Sequence, residues 1–279
     1  MTQALGALRR RLFGAPRPLV TMVRLTGAIG QGGRFRGLLN HEAVARQIDQ
    51  AFKPSGLKAV ALVVNSPGGS PVQSALIHEH IRRLADEKSV PVLAFAEDVA
   101  ASGGYLILLA GDELYAHDAS LIGSIGVVSG GFGFPEALAR LGVERRVYTQ
   151  GENKVRLDPF LPEKPEDKAW LSGIQEQVHG YFKDLVRRRR QGHLPEDAAG
   201  LFSGDVWVGE GARRLGLIDG LGTAEAVLKQ KFGQKVRIRP IEKRRGVLAS
   251  MTGAQDSRGG PEQWLAALDA QALWRRWGL

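Results

Sequence analysis

Apolar positions along the chain fall into short runs whose spacing alternates between two periods. The stretch LVTMVRLTG (19–27) predicts a first strand, and HEAVARQIDQAF (41–52) has the three-to-four spacing of a helix. AVALVVN (59–65) is apolar throughout and rich in β-branched residues, as expected of a strand covered on both faces. PVQSALIHEHIRRLADE (71–87) follows as an amphipathic helix with Pro71 near its start. VPVLAFA (90–96) is a further strand, a helix is expected from about Ser102, and ELYAH (113–117) is a short strand. EALARLG and ERRVYT read as helix, then strand. From Lys164 to Arg190 acids come early and bases late, which matches the dipole of a long helix. Beyond residue 200 the pattern gives a turn and two short helices. Strands separated by helices predict βαβ units, an α/β fold and a largely parallel sheet.

Composition adds limits. The 279 residues include no cysteine, so disulfides, thiolate metal sites and a cysteine nucleophile are excluded. The net charge of +9 is concentrated at the ends. Residues 1–41 hold seven arginines and no acid, and residues 229–279 hold eleven Lys or Arg against four acids. Basic ends on an acidic body point either to contact with anionic lipid or another polyanion through the ends or to solvated tails that aid solubility; peripheral membrane contact is carried forward and no nucleic-acid partner is expected. No apolar run approaches the length of a membrane span, and the start lacks the continuous apolar core of a secretory signal. A cytoplasmic protein, peripherally associated with the inner membrane, is the resulting expectation. Residues 1–18 read as a basic tail, 19–245 as one domain, and 246–279 as a linker followed by a Trp-rich basic helix.

Two glycine turns carry the candidate chemistry. NSPGGS (65–70) closes a buried strand and opens a helix, with Gly68 and Gly69 free to take positive φ and turn their N–H groups outward. ASGGY (101–105) repeats the arrangement one βαβ unit later, with Ser102 beside Gly103 at a helix start. Such a serine is commonly a helix cap, but two turns on one sheet edge would bring a serine and a set of donors together. The base is harder to find. His117 and Asp118 adjoin each other at a strand end, and none of His41, His78, His80, His179 and His193 has an evident partner. Lysine can replace histidine when burial favours its neutral form, and GENKVRLDPF (151–160) offers Lys154.

Taken together, NSPGG (65–69), ASGGY (101–105), LIGSIGVV (121–128) and GENKVRLDPF (151–160), in that order, resemble the signal-peptide peptidase A family of serine–lysine proteases. The resemblance spans roughly residues 19–240 and implies a Clp/crotonase-like fold of repeated ββα units, its mostly parallel sheet flanked by helices. It implies that Ser102 is the nucleophile, Lys154 the general base, and Ser124 the hydroxyl that holds the lysine amine. Gly68 and Gly103 would supply the oxyanion hole, Gly69 completing the turn. It further implies cleavage of unfolded or signal-peptide-like peptides with no metal or organic cofactor. A homo-oligomer is implied as well, with active sites at its subunit interfaces and the lysine often donated by a neighbour. Many family members carry an N-terminal transmembrane anchor, and this sequence shows none. Two rivals remain: a crotonase-type acyl-CoA enzyme, which would use acidic bases, and a non-catalytic scaffold that binds peptides or membrane.

Overall fold

The computed structural model describes residues 17–30, 38–195, 199–242 and 271–278. The basic tail up to residue 16 and the 246–263 linker lie outside the described residues, as does the Trp-rich end apart from 271–278, of which 271–275 are helical. In chain order the elements are β1 (Leu19–Thr26), α1 (His41–Ala51), β2 (Leu57–Ser66), α2 (Pro71–Lys88), β3 (Val92–Ala101) and α3 (Gly103–Leu108). There follow β4 (Glu113–Ala116), β5 (Leu121–Gly123), α4 (Pro135–Arg140) and α5 (Pro165–Arg189). A 3-10 turn (Ala199–Phe202) leads to β6 (Val206–Val208), α6 (Gly209–Arg214), β7 (Gly220–Leu221), α7 (Ala224–Phe232) and β8 (Arg237–Pro240).

Local chemistry sets the helix starts. Asn40 caps α1 by accepting from the Ala43 amide at 2.9 Å, and Ser70 caps α2 with Pro71 in its first turn. The strands form one sheet in the order β6-β5-β3-β2-β1-β8, with β4 on the first half of β3 and β7 on β4. Every pairing is parallel except β5 with β6. The fold is therefore α/β with a mostly parallel sheet flanked by helices, as expected.

Alternate residues of the strands point to opposite faces. Val23, Leu25, Val60, Leu62 and Val64 pack beneath α1, α2, α3 and the end of α5. Ala59, Ala61, Val63, Leu93 and Phe95 pack against α7 through Val227 and Leu228. Arg190, buried at the end of α5, donates to the Gly216 carbonyl at 2.7 Å and pairs with Asp219 at 2.8 Å.

β3 is longer than the predicted 90–96 strand and changes partner midway. Val60–Val64 pair with Val92–Ala96, but Ser66 pairs with Ala100, so β3 holds two extra residues there. The Asn65 side chain spans the gap, donating to Asp98 at 2.6 Å and accepting from the Val99 amide at 3.2 Å. The bulge lets β3 leave β4 and pair with β5. The strand predicted at ERRVYT does not form. Residues 143–149 are exposed and have no regular structure, since no sheet edge lies beside them to complete a ladder.

Candidate active site

The bulge in β3 delivers Ser102 to the end of the strand, at the N-cap of α3. Its backbone stands at φ 52°, ψ −121°, a conformation that costs a non-glycine residue about 1–3 kcal/mol. The side chain makes no capping hydrogen bond, so the helix-cap explanation for this serine does not hold. Its amide donates to the Gly123 carbonyl at 2.8 Å, which fixes the turn against the end of β5.

The two glycine turns meet, as the sequence predicted. A Cβ built on Gly68 would lie 2.7 Å from Ser102 Cβ and 3.0 Å from the Gly103 nitrogen. Gly69, at φ +138°, lies so close to the Ile29 carbonyl that any side chain would collide with it. Ile29 in turn donates to the Gly68 carbonyl at 2.8 Å, and Ser70 donates to Ile29 at 2.9 Å. Gly103 opens α3, where an N–H has no acceptor within the helix.

Two buried hydroxyls that no motif singled out underpin this junction. Ser66 Oγ accepts from the Gly68 amide at 3.2 Å. Ser74 Oγ donates to the Ser70 carbonyl at 2.8 Å and lies under Gly103, where no Cβ would fit.

Ser124 belongs to the same neighbourhood. It follows β5, is buried, stands at φ 52° and donates its amide to the Asp205 carbonyl at 2.6 Å. From the middle of α5, His179 Nε2 donates to the next carbonyl, that of Ile125, at 3.2 Å.

No hydrogen bond among the described residues links Lys154 to that neighbourhood. The lysine sits in an exposed turn within an irregular segment and makes no side-chain hydrogen bond or ion pair among the described residues. The segment has a small cluster of its own, in which Phe134 packs on Phe160 at 5.7 Å and Arg145 lies over Phe160 at 4.8 Å. The Arg145 guanidinium also holds the Asp158 carboxyl below its usual range. Around it Phe132, Leu141 and Tyr148 are 81%, 76% and 91% exposed.

None of the six histidines bonds Ser102; His179 is spent on the Ile125 carbonyl and the other five are engaged elsewhere. His78 is buried and bonds the Leu106 carbonyl at 3.1 Å, with burial pushing it down to about 4. His41 pairs with His80, which pairs with Asp49, and His193 lies 3.4 Å from Asp219. His117 Nδ1 accepts from Ala119 in a tight turn. With Glu97 and Asp98 it also borders a cavity of about 510 Å³ whose lining includes none of the predicted site residues. Nothing here builds a Ser-His pair.

Comparison with known proteins adds a family. The model of peptidase family S49 matches residues 85–236, a span that holds Ser102, Ser124 and Lys154. The Na(+)/H(+) antiporter NhaA of Brucella abortus is 46% identical to this chain, covering 98% of it and 39% of its own length. The chloroplastic serine protease SPPA of Arabidopsis thaliana is 31% identical, with 77% of this chain and 32% of that protein aligned. The chain thus spans well under two thirds of these relatives. Among solved structures, the 1510-N membrane-bound stomatin-specific protease superposes with a TM-score of 0.51 at 16% identity. That superposition covers 82% of this chain and 99% of the other, and it is a likeness of fold.

Proposed function

Because the chain belongs to peptidase family S49, we propose that it is a serine endopeptidase in which Ser102 attacks the peptide and Lys154 is the general base. The junction of the two glycine turns carries this assignment. It gives Ser102 a strained backbone, a hydroxyl free of capping duty, and backbone donors alongside.

In the proposed reaction Ser102 Oγ attacks the scissile carbonyl carbon while Lys154 Nζ accepts the hydroxyl proton. The electron pair displaced onto the carbonyl oxygen is met by the N–H groups of Gly103 and Gly68, the latter turning from Ser66. Collapse breaks the C–N bond, and Lys154 returns the proton to the leaving amine. A water activated by the same amine then hydrolyses the ester on Ser102. Ser124 orients that amine, and no metal or organic cofactor enters any step.

A lysine can act this way only as a free amine, which removal from water favours. Lys154 is exposed on the single chain, and in the proposed assembly a second copy of the chain covers it. Large apolar residues exposed in the same segment of the chain support such an interface. Spacing along α5 supports the same view. His179 fastens the Ser124 turn, while Asp167 accepts from the Leu157 amide, three residues after Lys154. Twelve residues of helix put those two anchors about 18 Å apart, which favours Lys154 serving the Ser102 of a neighbour.

Substrates would be unfolded or signal-peptide-like segments bound in extended form. The basic ends support work at the cytoplasmic face of the inner membrane. The names of two similar proteins, an antiporter and a membrane-bound protease, are in keeping with that placement. Turnover of an unfolded protein substrate tests the proposal. Ser102→Ala is expected to lower it by about a thousandfold or more, and undiminished turnover would overturn the assignment.

A further inference from the structure

We infer that Asp167 is a positioning residue for Lys154, holding the base-bearing loop to the first turn of α5. The inference rests on the serine–lysine reading above and extends it to a residue outside the four motifs. Asp167 is a carboxylate only 8% exposed in a region that is otherwise open to solvent. One of its oxygens accepts from the Leu157 amide at 3.3 Å, and the other lies 3.4 Å from Arg156 Nε. The Arg156 guanidinium also sits 5.1 Å from the ring centre of Trp170, one helical turn further along.

Leu157 is one of few non-glycine residues at positive φ, at 55°, and an L-residue keeps that conformation only when its surroundings demand it. Asp167 supplies the demand. It sits in the first turn of a helix, where the dipole favours its charge, and it fixes two consecutive residues just beyond Lys154. Without the clamp the turn from Gly151 to Leu157 has its own backbone bonds, Lys154 to Gly151 at 3.2 Å and Arg156 to Asn153 at 3.5 Å, and the Arg156–Trp170 contact, but no hydrogen bond to α5 among the described residues. The backbone that carries Lys154 would then be free to shift relative to α5.

Labelling with a serine-reactive phosphonate, followed against pH, reads this directly on the full-length protein. Asp167→Ala is expected to slow labelling at least tenfold, to move its alkaline-rising limb to higher pH, and to speed tryptic cleavage at Lys154 and Arg156. Asp167→Asn keeps an acceptor for the Leu157 amide and is expected to recover most of the rate. It carries the test alone if the alanine variant does not fold, and must then show faster tryptic cleavage and a limb at higher pH than wild type. Wild-type rate and pH limb in Asp167→Ala, or, where only Asp167→Asn folds, wild-type tryptic cleavage and pH limb in that variant, would overturn the role of Asp167. Lys154→Ala, run alongside, separates the two failures. If it is inert while the Asp167 variants are normal, only the positioning role falls. If it labels like wild type, the base assignment falls and takes the positioning role with it.

Discussion

At Ser102 and Gly68 two backbones approach so closely that one position must lack a side chain. Gly68→Ala would put a methyl 2.7 Å from Ser102 Cβ at a φ of +103°, so either the serine or the donor turn must move. A displacement of this kind in an oxyanion site is expected to cut turnover by about a hundredfold or more, with the fold retained by circular dichroism. His78 carries a different prediction. Burial and nearby arginines keep it neutral in the fold, down to about 4 against an ordinary 6.5. Between those values the unfolded chain holds the extra proton, so stability falls as pH drops through that window. From pH 7 to pH 5 this one residue should cost about 2 kcal/mol. Urea unfolding at the two pH values checks it, and His78→Asn should remove most of the difference.

Among the elements, α5 connects the most distant parts of the site. Its first turn holds the Lys154 loop, its middle holds the Ser124 turn, and Arg189 and Arg190 lock its end to the core. The segment before it carries exposed apolar residues, where the proposed second copy would pack. Phe132→Asp is therefore expected to lower the mass measured by sedimentation toward that of the 30.2 kDa chain. A wild type that sediments as a single chain would contradict a second copy on this surface. Much of the framework was legible in the sequence, because β1, β2, α1, α2 and α5 have long, regular patterns. The short strands β5 to β8 were not legible. Two to four residues carry no period, and the pairing of β5, and of β6 through it, depends on the bulge at Glu97–Asp98, which is a property of two strands together. ERRVYT misled for the converse reason, since its strand-like composition has no neighbouring edge to pair with. Ser102 and the glycines were readable because turns have local chemistry. Asp167 and His179 act through bonds to other elements, and Ser66 and Ser74, whose own bonds are local, matter because the fold sets them against the second glycine turn, so none of the four left a signal in the sequence.

For the whole molecule, the account requires that a base on one exposed loop meet a nucleophile at the sheet edge of another copy. Mixing inactive Ser102→Ala with inactive Lys154→Ala should then restore turnover, because hybrid interfaces pair an intact serine with an intact lysine. Activity that stays absent in demonstrably mixed assemblies would place both groups within one chain. The basic ends give a separate expectation, that the protein sediments with vesicles of anionic lipid at low salt and is released as salt rises. The most direct measurement is peptide mapping by mass spectrometry after treatment with a serine-reactive phosphonate. One adduct, on Ser102, that disappears in Lys154→Ala is the predicted result. Full labelling of Ser102 without Lys154, or an adduct on another residue in its place, would contradict the account.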